Sequence, residues 1–116
     1  MAAELGGASE IAALLERLQQ ALRCACESQL EMLGRRRSWL ENTIQKLAEA
    51  QTDAQYFDLC QEIRSALKGG MGSFADVYLY PGADCEFDEA ELNAAFEAIV
   101  EDLYSNVDQA IDRGDG

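Results

Sequence analysis

From Leu92 towards the end of the chain, Leu92, Phe96, Ile99, Leu103, Val107 and Ala110 recur in steps of three and four. That is an almost strict heptad seam, a pattern one side of an α-helix presents and a strand does not. A helix with such a seam must bury it, so the rest of the chain has to supply helical partners. Upstream, Ile11, Leu14, Leu15, Leu18, Leu22 and Ala25 predict a first helix from the Ser9 cap to about Leu33. Gly34 is expected to break that run, and Ser38 with Glu41 reads as an S-x-x-E capping box opening a second helix that carries Trp39, Leu40, Ile44 and Leu47 to about Ala50. Thr52 with Gln55 repeats the signature for a third helix, whose stripe is Tyr56, Leu59, Cys60, Ile63, Ala66 and Leu67. Gly69 and Gly70 stop it, and Asp88 with Glu91 caps the last helix, expected to be the longest.

Between Gly69 and Phe87 the helical period fails. Phe74-Ala75-Asp76-Val77-Tyr78-Leu79-Tyr80 is apolar with β-branched and aromatic character and ends at Pro81-Gly82, which predicts an extended or partly helical connection. The expected fold is all-α, a small four-helix bundle over residues 1–116 with an irregular Gly-rich connection before the last helix. With 116 residues, 48% hydrophobic and 27% charged, the composition suits one globular domain with a core of its own. The N-terminus lacks a basic start and an apolar run, so neither a signal peptide nor a membrane anchor is expected, and the expected location is cytoplasmic.

The net charge of −13 is placed unevenly: residues 1–50 carry net −1 and residues 51–116 net −12. Between Asp76 and Asp115 stand twelve acids and one base, Arg113. Such a field speeds encounter with a basic partner and repels nucleic acid, nucleotides and anionic membranes. Arg35-Arg36-Arg37 is too short to overturn it and reads as solvated or paired with acids of the last helix.

Catalytic and metal chemistry find little to use. There is no histidine and no C-x-x-C pair, so Cys24, Cys26, Cys60 and Cys85 read as reduced structural thiols, and no enzyme, metal or cofactor is expected. Asp84, Glu86, Asp88 and Glu91 have the alternation of a calcium loop. From Asp84, however, its sixth position is Glu89 where a glycine is needed, and its twelfth is Ala95 where a carboxylate is needed. Gly69-Gly70-Met71-Gly72-Ser73 follows a helix and lacks the lysine of a phosphate loop, so it reads as a tight turn that drops Met71 and Phe74 into the core while Ser73 or Asp76 caps backbone donors.

The stretch Ile63-Arg64-Ser65-Ala66-Leu67-Lys68-Gly69-Gly70-Met71-Gly72-Ser73-Phe74-Ala75-Asp76-Val77-Tyr78-Leu79 resembles a group of small, uncharacterised bacterial proteins. These share a Gly-Gly-Met-Gly-Ser-(Leu/Phe)-x-Asp core, an upstream Trp-Leu like Trp39-Leu40 and a closing acidic helix. The resemblance covers about residues 35–112 and leaves the first helix unmatched. It implies no transferable chemistry, and Ala75 stands where a polar residue such as Asn is expected. In size, charge and fold class the chain is also similar to the immunity proteins encoded beside secreted antibacterial toxins, a likeness of build and not of sequence.

The expected function is therefore that of a cytosolic immunity protein that occludes a basic toxin cleft. Asp76, Asp84, Glu86, Glu97, Glu101 and Asp108 would steer the encounter, and Tyr78 and Tyr80 would anchor it. The rival from another class is a nucleic-acid mimic that fills the groove of a nucleic-acid-binding protein. A third is a self-associating structural bundle, a homo-oligomer whose acidic face is merely solvated.

Overall fold

The computed structural model describes residues 6–68, 74 and 77–115, with side chains from 9 to 112 within that set. Five helices follow in order: α1 (Gly6–Arg23), α2 (Glu27–Met32), α3 (Gly34–Glu49), α4 (Asp53–Lys68) and α5 (Glu89–Asp115). α5 packs on both α1 and α4, α1 also on α3, and α3 also on α4. The four long helices thus close a ring, and the all-α bundle expected from the sequence is the fold, with α2 as a short fifth helix at one corner. At 1.5 Å per residue, the 27 residues of α5 make a rod of about 40 Å. That nearly spans the molecule's 44 Å long axis.

The apolar stripes meet in one cluster. Ile11, Leu15, Leu18 and Leu22 of α1, Leu40 of α3, Ile63 and Leu67 of α4, and Leu92, Phe96, Leu103 and Val107 of α5 are all buried. Each such side chain contributes roughly 1.5–3 kcal/mol on leaving water. On α5 the seam departs from the heptad: Val100 is buried while Ile99 is only partly so. A straight helix wedged between two neighbours needs a wider stripe than a coiled-coil seam, which explains the shift.

Helix boundaries differ from the sequence reading at the first corner. The helix expected to continue to Leu33 ends at Arg23, although the apolar period runs on through Ala25. A distant segment captures its backbone: Ala25 and Pro81 form an isolated antiparallel bridge, in which Cys26 N–H donates to Tyr80 O at 2.7 Å and Gly82 N–H to Cys24 O at 2.8 Å. The approach at Gly82 is close: a Cβ there would lie 3.2 Å from Ala25 O and 3.4 Å from Cys26 Cα, so the bridge would have to give by a few tenths of an ångström.

The break expected at Gly34 is present: α2 ends at Met32 and α3 begins at Gly34, with Leu33 between them donating its N–H to Gln29 O and accepting from Arg37 N–H, both at 2.9 Å. Ser38 consequently lies inside α3, and the capping box expected with Glu41 does not form. The other two do. Gln55 N–H donates to Thr52 Oγ1 at 3.2 Å, with Thr52 N–H returning to Gln55 Oε1 at 3.4 Å. Glu91 N–H donates to Asp88 Oδ1 at 2.8 Å, with Asp88 N–H returning to Glu91 Oε1 at 3.1 Å.

All four thiols are free, Cys60 buried and Cys24, Cys26 and Cys85 half-buried. Cys24 and Cys26 flank the bridge at Ala25. Gly69–Ser73, with Met71, lies outside the described residues.

Candidate functional site

The connection ahead of α5 runs extended from Val77 to Tyr80, and its side chains alternate, with Leu79 buried and Tyr78 and Tyr80 exposed. An extended segment inside a helical protein has no sheet to satisfy its backbone, yet buried N–H and C=O groups need partners. Two carboxamides supply them. On one edge, Asn93 of α5 accepts from Leu79 N–H at 2.7 Å and donates to Leu79 O at 2.8 Å, as a strand neighbour would. On the other edge, Gln29 of α2 accepts from Tyr80 N–H at 2.8 Å and donates to Tyr78 O at 2.5 Å. Phe74 is buried and packs on Trp39 with ring centroids 5.7 Å apart, which pins the start of the segment against α3.

This clamping presents two tyrosines. The Tyr78 and Tyr80 rings meet edge to face at 5.4 Å, and Tyr78 Oη donates to Glu89 Oε2 at 2.8 Å. That bond to Glu89 holds the Tyr78 phenol above its ordinary pKa. Beside Tyr78, between the connection and α5, opens a groove of about 330 Å³. Phe74, Val77, Phe96 and Val100 line its apolar part, and Glu97 and Glu101 line its acidic side.

The expected contact residues are thus partly gathered. Tyr78, Glu97 and Glu101 share the groove, and Tyr80 stands next to Tyr78. Asp84 and Glu86 are exposed in the turn before α5, with Glu86 close enough to Cys24 to bear on its ionisation. Asp108 lies elsewhere, paired with Arg64 of α4 at 3.1 Å, both side chains well exposed. Glu101 is shared: it faces the groove and also meets Lys68 Nζ at 2.9 Å, while that ammonium sits 4.5 Å above the Tyr104 ring. Asp76 lies outside the described residues. Arg64 and Lys68 of α4 both make ion pairs to α5.

Asn93, Gln29 and the apolar groove residues were not singled out from sequence. Asp88 and Glu91, considered above as calcium ligands, spend carboxylate oxygens on the helix cap. Among the described residues no three His, Cys, Asp or Glu side chains converge to hold a metal ion. Burial first, and then the facing Cys85 thiol, push the Cys24 thiol up, whereas a hydrogen bond with Ser28 holds Cys26 below the ordinary thiol value. No described helix is long and apolar enough to cross a membrane.

The arrangement sets hydrogen-bonded aromatic area beside two carboxylates, of which Glu101 is paired with Lys68 and Glu97 meets no base among the described residues. No curated protein and no solved structure matches the chain. Residues 37–86, from the first turn of α3 through α4 to the turn before α5, are similar to a domain of unknown function, DUF6966.

Proposed function

We propose that the chain is a cytosolic immunity protein that binds a basic toxin domain, encoded beside it, and blocks that domain's active site. The observation that carries this reading is the convergence of Tyr78, Glu97 and Glu101 on one groove, with Tyr80 alongside. Occlusion needs no catalytic group in the inhibitor. The acidic half of the chain steers a basic cleft into contact, which raises association rates by roughly 10- to 1,000-fold at low salt. The tyrosines then supply buried area at low conformational cost, and the apolar groove accepts a side chain from the partner. A toxin that acts on nucleic acid or nucleotides presents the complementary basic cleft.

The test is a pull-down with the tagged protein from cells producing an inactivated copy of the adjacent open reading frame, washed at low and at moderate salt. A stoichiometric complex with that neighbour, weakened when Glu97 and Glu101 are reversed to lysine, supports the reading. Recovery of a general nucleic-acid-binding protein in its place turns it towards the nucleic-acid mimic. Recovery of the chain's own copies alone turns it towards a homo-oligomeric bundle.

A further inference from the structure

We propose that the groove between the connection and α5 receives a single arginine side chain of the partner, and that Lys68 is its built-in competitor for one of the two receiving carboxylates. The proposal rests on the reading of the acidic face as a protein-docking surface and adds what enters it. At about 330 Å³ the groove lies at the small end of ligand sites, which run from roughly 300 to 1,000 Å³. One long side chain fits that scale better than a cofactor does, and the surrounding charge opposes nucleotides.

Charge complementarity selects a cation. Glu97 and Glu101 are four residues apart on α5, so they stand on one face, and two like charges so placed destabilise a helix unless a cation joins them. The chain supplies half of that cation: Lys68 pairs with Glu101 at 2.9 Å, while Glu97 meets no base among the described residues. The Lys68 pair shows that this rim binds an ammonium and leaves one carboxylate for an incoming group.

The apolar lining distinguishes arginine from lysine. A guanidinium is planar and weakly hydrated, stacks on aromatic rings and bonds carboxylates with two parallel donors, whereas an ammonium is a strongly hydrated point charge. With the head between Glu97 and Glu101 and its plane against the half-exposed Tyr78 ring, the methylene stem lies along Val77 and Val100. The depression formed by Lys46, Glu49, Gln55, Asp58 and Glu62 at the α3–α4 corner is also acid-rich, but it has no aromatic wall.

The test is an NMR titration of the full chain at low salt with a capped Gly-Arg-Gly peptide and, in parallel, its Gly-Lys-Gly counterpart. The arginine peptide should shift Val77, Asn93, Glu97 and Val100 in a saturable manner and bind at least about threefold more tightly than the lysine peptide. E97Q should weaken it about fivefold, and K68A should tighten it about threefold by freeing Glu101. D84N, outside the groove's lining, should change little. Shifts scattered over the acidic surface, equal affinity for both peptides, or an E97Q effect no larger than that of D84N would each overturn the groove assignment. Those results leave the acidic face available for docking, so the immunity reading survives them. A focused response combined with no complex between the chain and its neighbour-encoded protein keeps the groove and removes the immunity reading.

Discussion

Towards its C-terminal end, α5 sets Glu101 and Asp108 against Lys68 and Arg64 of α4 at 2.9 and 3.1 Å. Towards its N-terminal end, Glu97 and, ahead of the helix, Asp84 and Glu86 meet no base among the described residues. The difference follows from how the helices run. α4 and α5 are antiparallel, so Arg64 and Lys68, one turn apart, reach Asp108 and Glu101, two turns apart. α4 ends at Lys68, and beyond it the extended connection also lies against α5, offering hydrogen bonds and aromatic rings but no cation. Glu101 and Asp108 are therefore tied to their own molecule, and Glu97 is left to attract something else.

The largest expected effect tests the premise that both ends rest on one core. Phe96 is buried beneath the groove, and Phe96→Ala should cost about 3–5 kcal/mol in chemical denaturation. A loss below about 1 kcal/mol would mean that the N-terminal part of α5 is not packed as described. Next comes the clamp on the connection. Asn93→Leu leaves both backbone groups of Leu79 without partners and should cost about 2–4 kcal/mol. Gln29→Leu, at an exposed edge, should cost about 1 kcal/mol, and equal losses from the two would remove the distinction between the inner and outer edges of the extended segment.

The comparison of charges is sharpened by kinetics. Reversing Glu97 and Glu101 together should slow association with a basic partner by at least about tenfold at low salt, an effect fading as salt rises. Exchanging Arg64 and Asp108, as R64D with D108R, keeps the pair and the total charge. Both groups are well exposed, so stability should change by less than about 1 kcal/mol and association hardly at all. A large kinetic effect of the exchange would show that the neutralised end also contacts the partner.

The smallest expected effect is a titration. The bond to Glu89 favours the protonated Tyr78 phenol, so its contribution to stability is complete below the unfolded-state value, about pH 10, and is lost as pH rises through the higher folded value. Tyrosinate absorbance should show one phenol titrating late, and Glu89→Gln should bring it back towards the ordinary range.

Legibility in the sequence tracked the range of the interactions. Thr52–Gln55 and Asp88–Glu91 were readable because a capping box closes within a single turn. Ser38–Glu41 has the same letters and does not cap, because α3 has already begun one turn earlier, at Gly34. Ala25 misled for a related reason. It sits in apolar phase with Leu22 and Leu18, but the helix ends just before it, where Cys26 N–H donates to Tyr80 O and Gly82 N–H to Cys24 O. The candidate site was legible as charge and tyrosines on one stretch of chain. Its geometry was not, since Gln29 and Asn93 serve a backbone 51 and 14 residues away respectively.

By itself the sequence determined that this chain is helical, where most of its apolar stripes lie, that its negative charge gathers after residue 50, and that the segment before the last helix breaks the helical period. These follow from spacing and composition, which are properties of near neighbours. The tertiary structure alone decided that the first helix stops at Arg23, that Leu79 is clamped between two carboxamides, and which acids of α5 find a base. Those outcomes depend on which distant backbone groups and charges are brought within about 3 Å of one another. Only the packing of α5 against α1, α4 and the connection sets those distances.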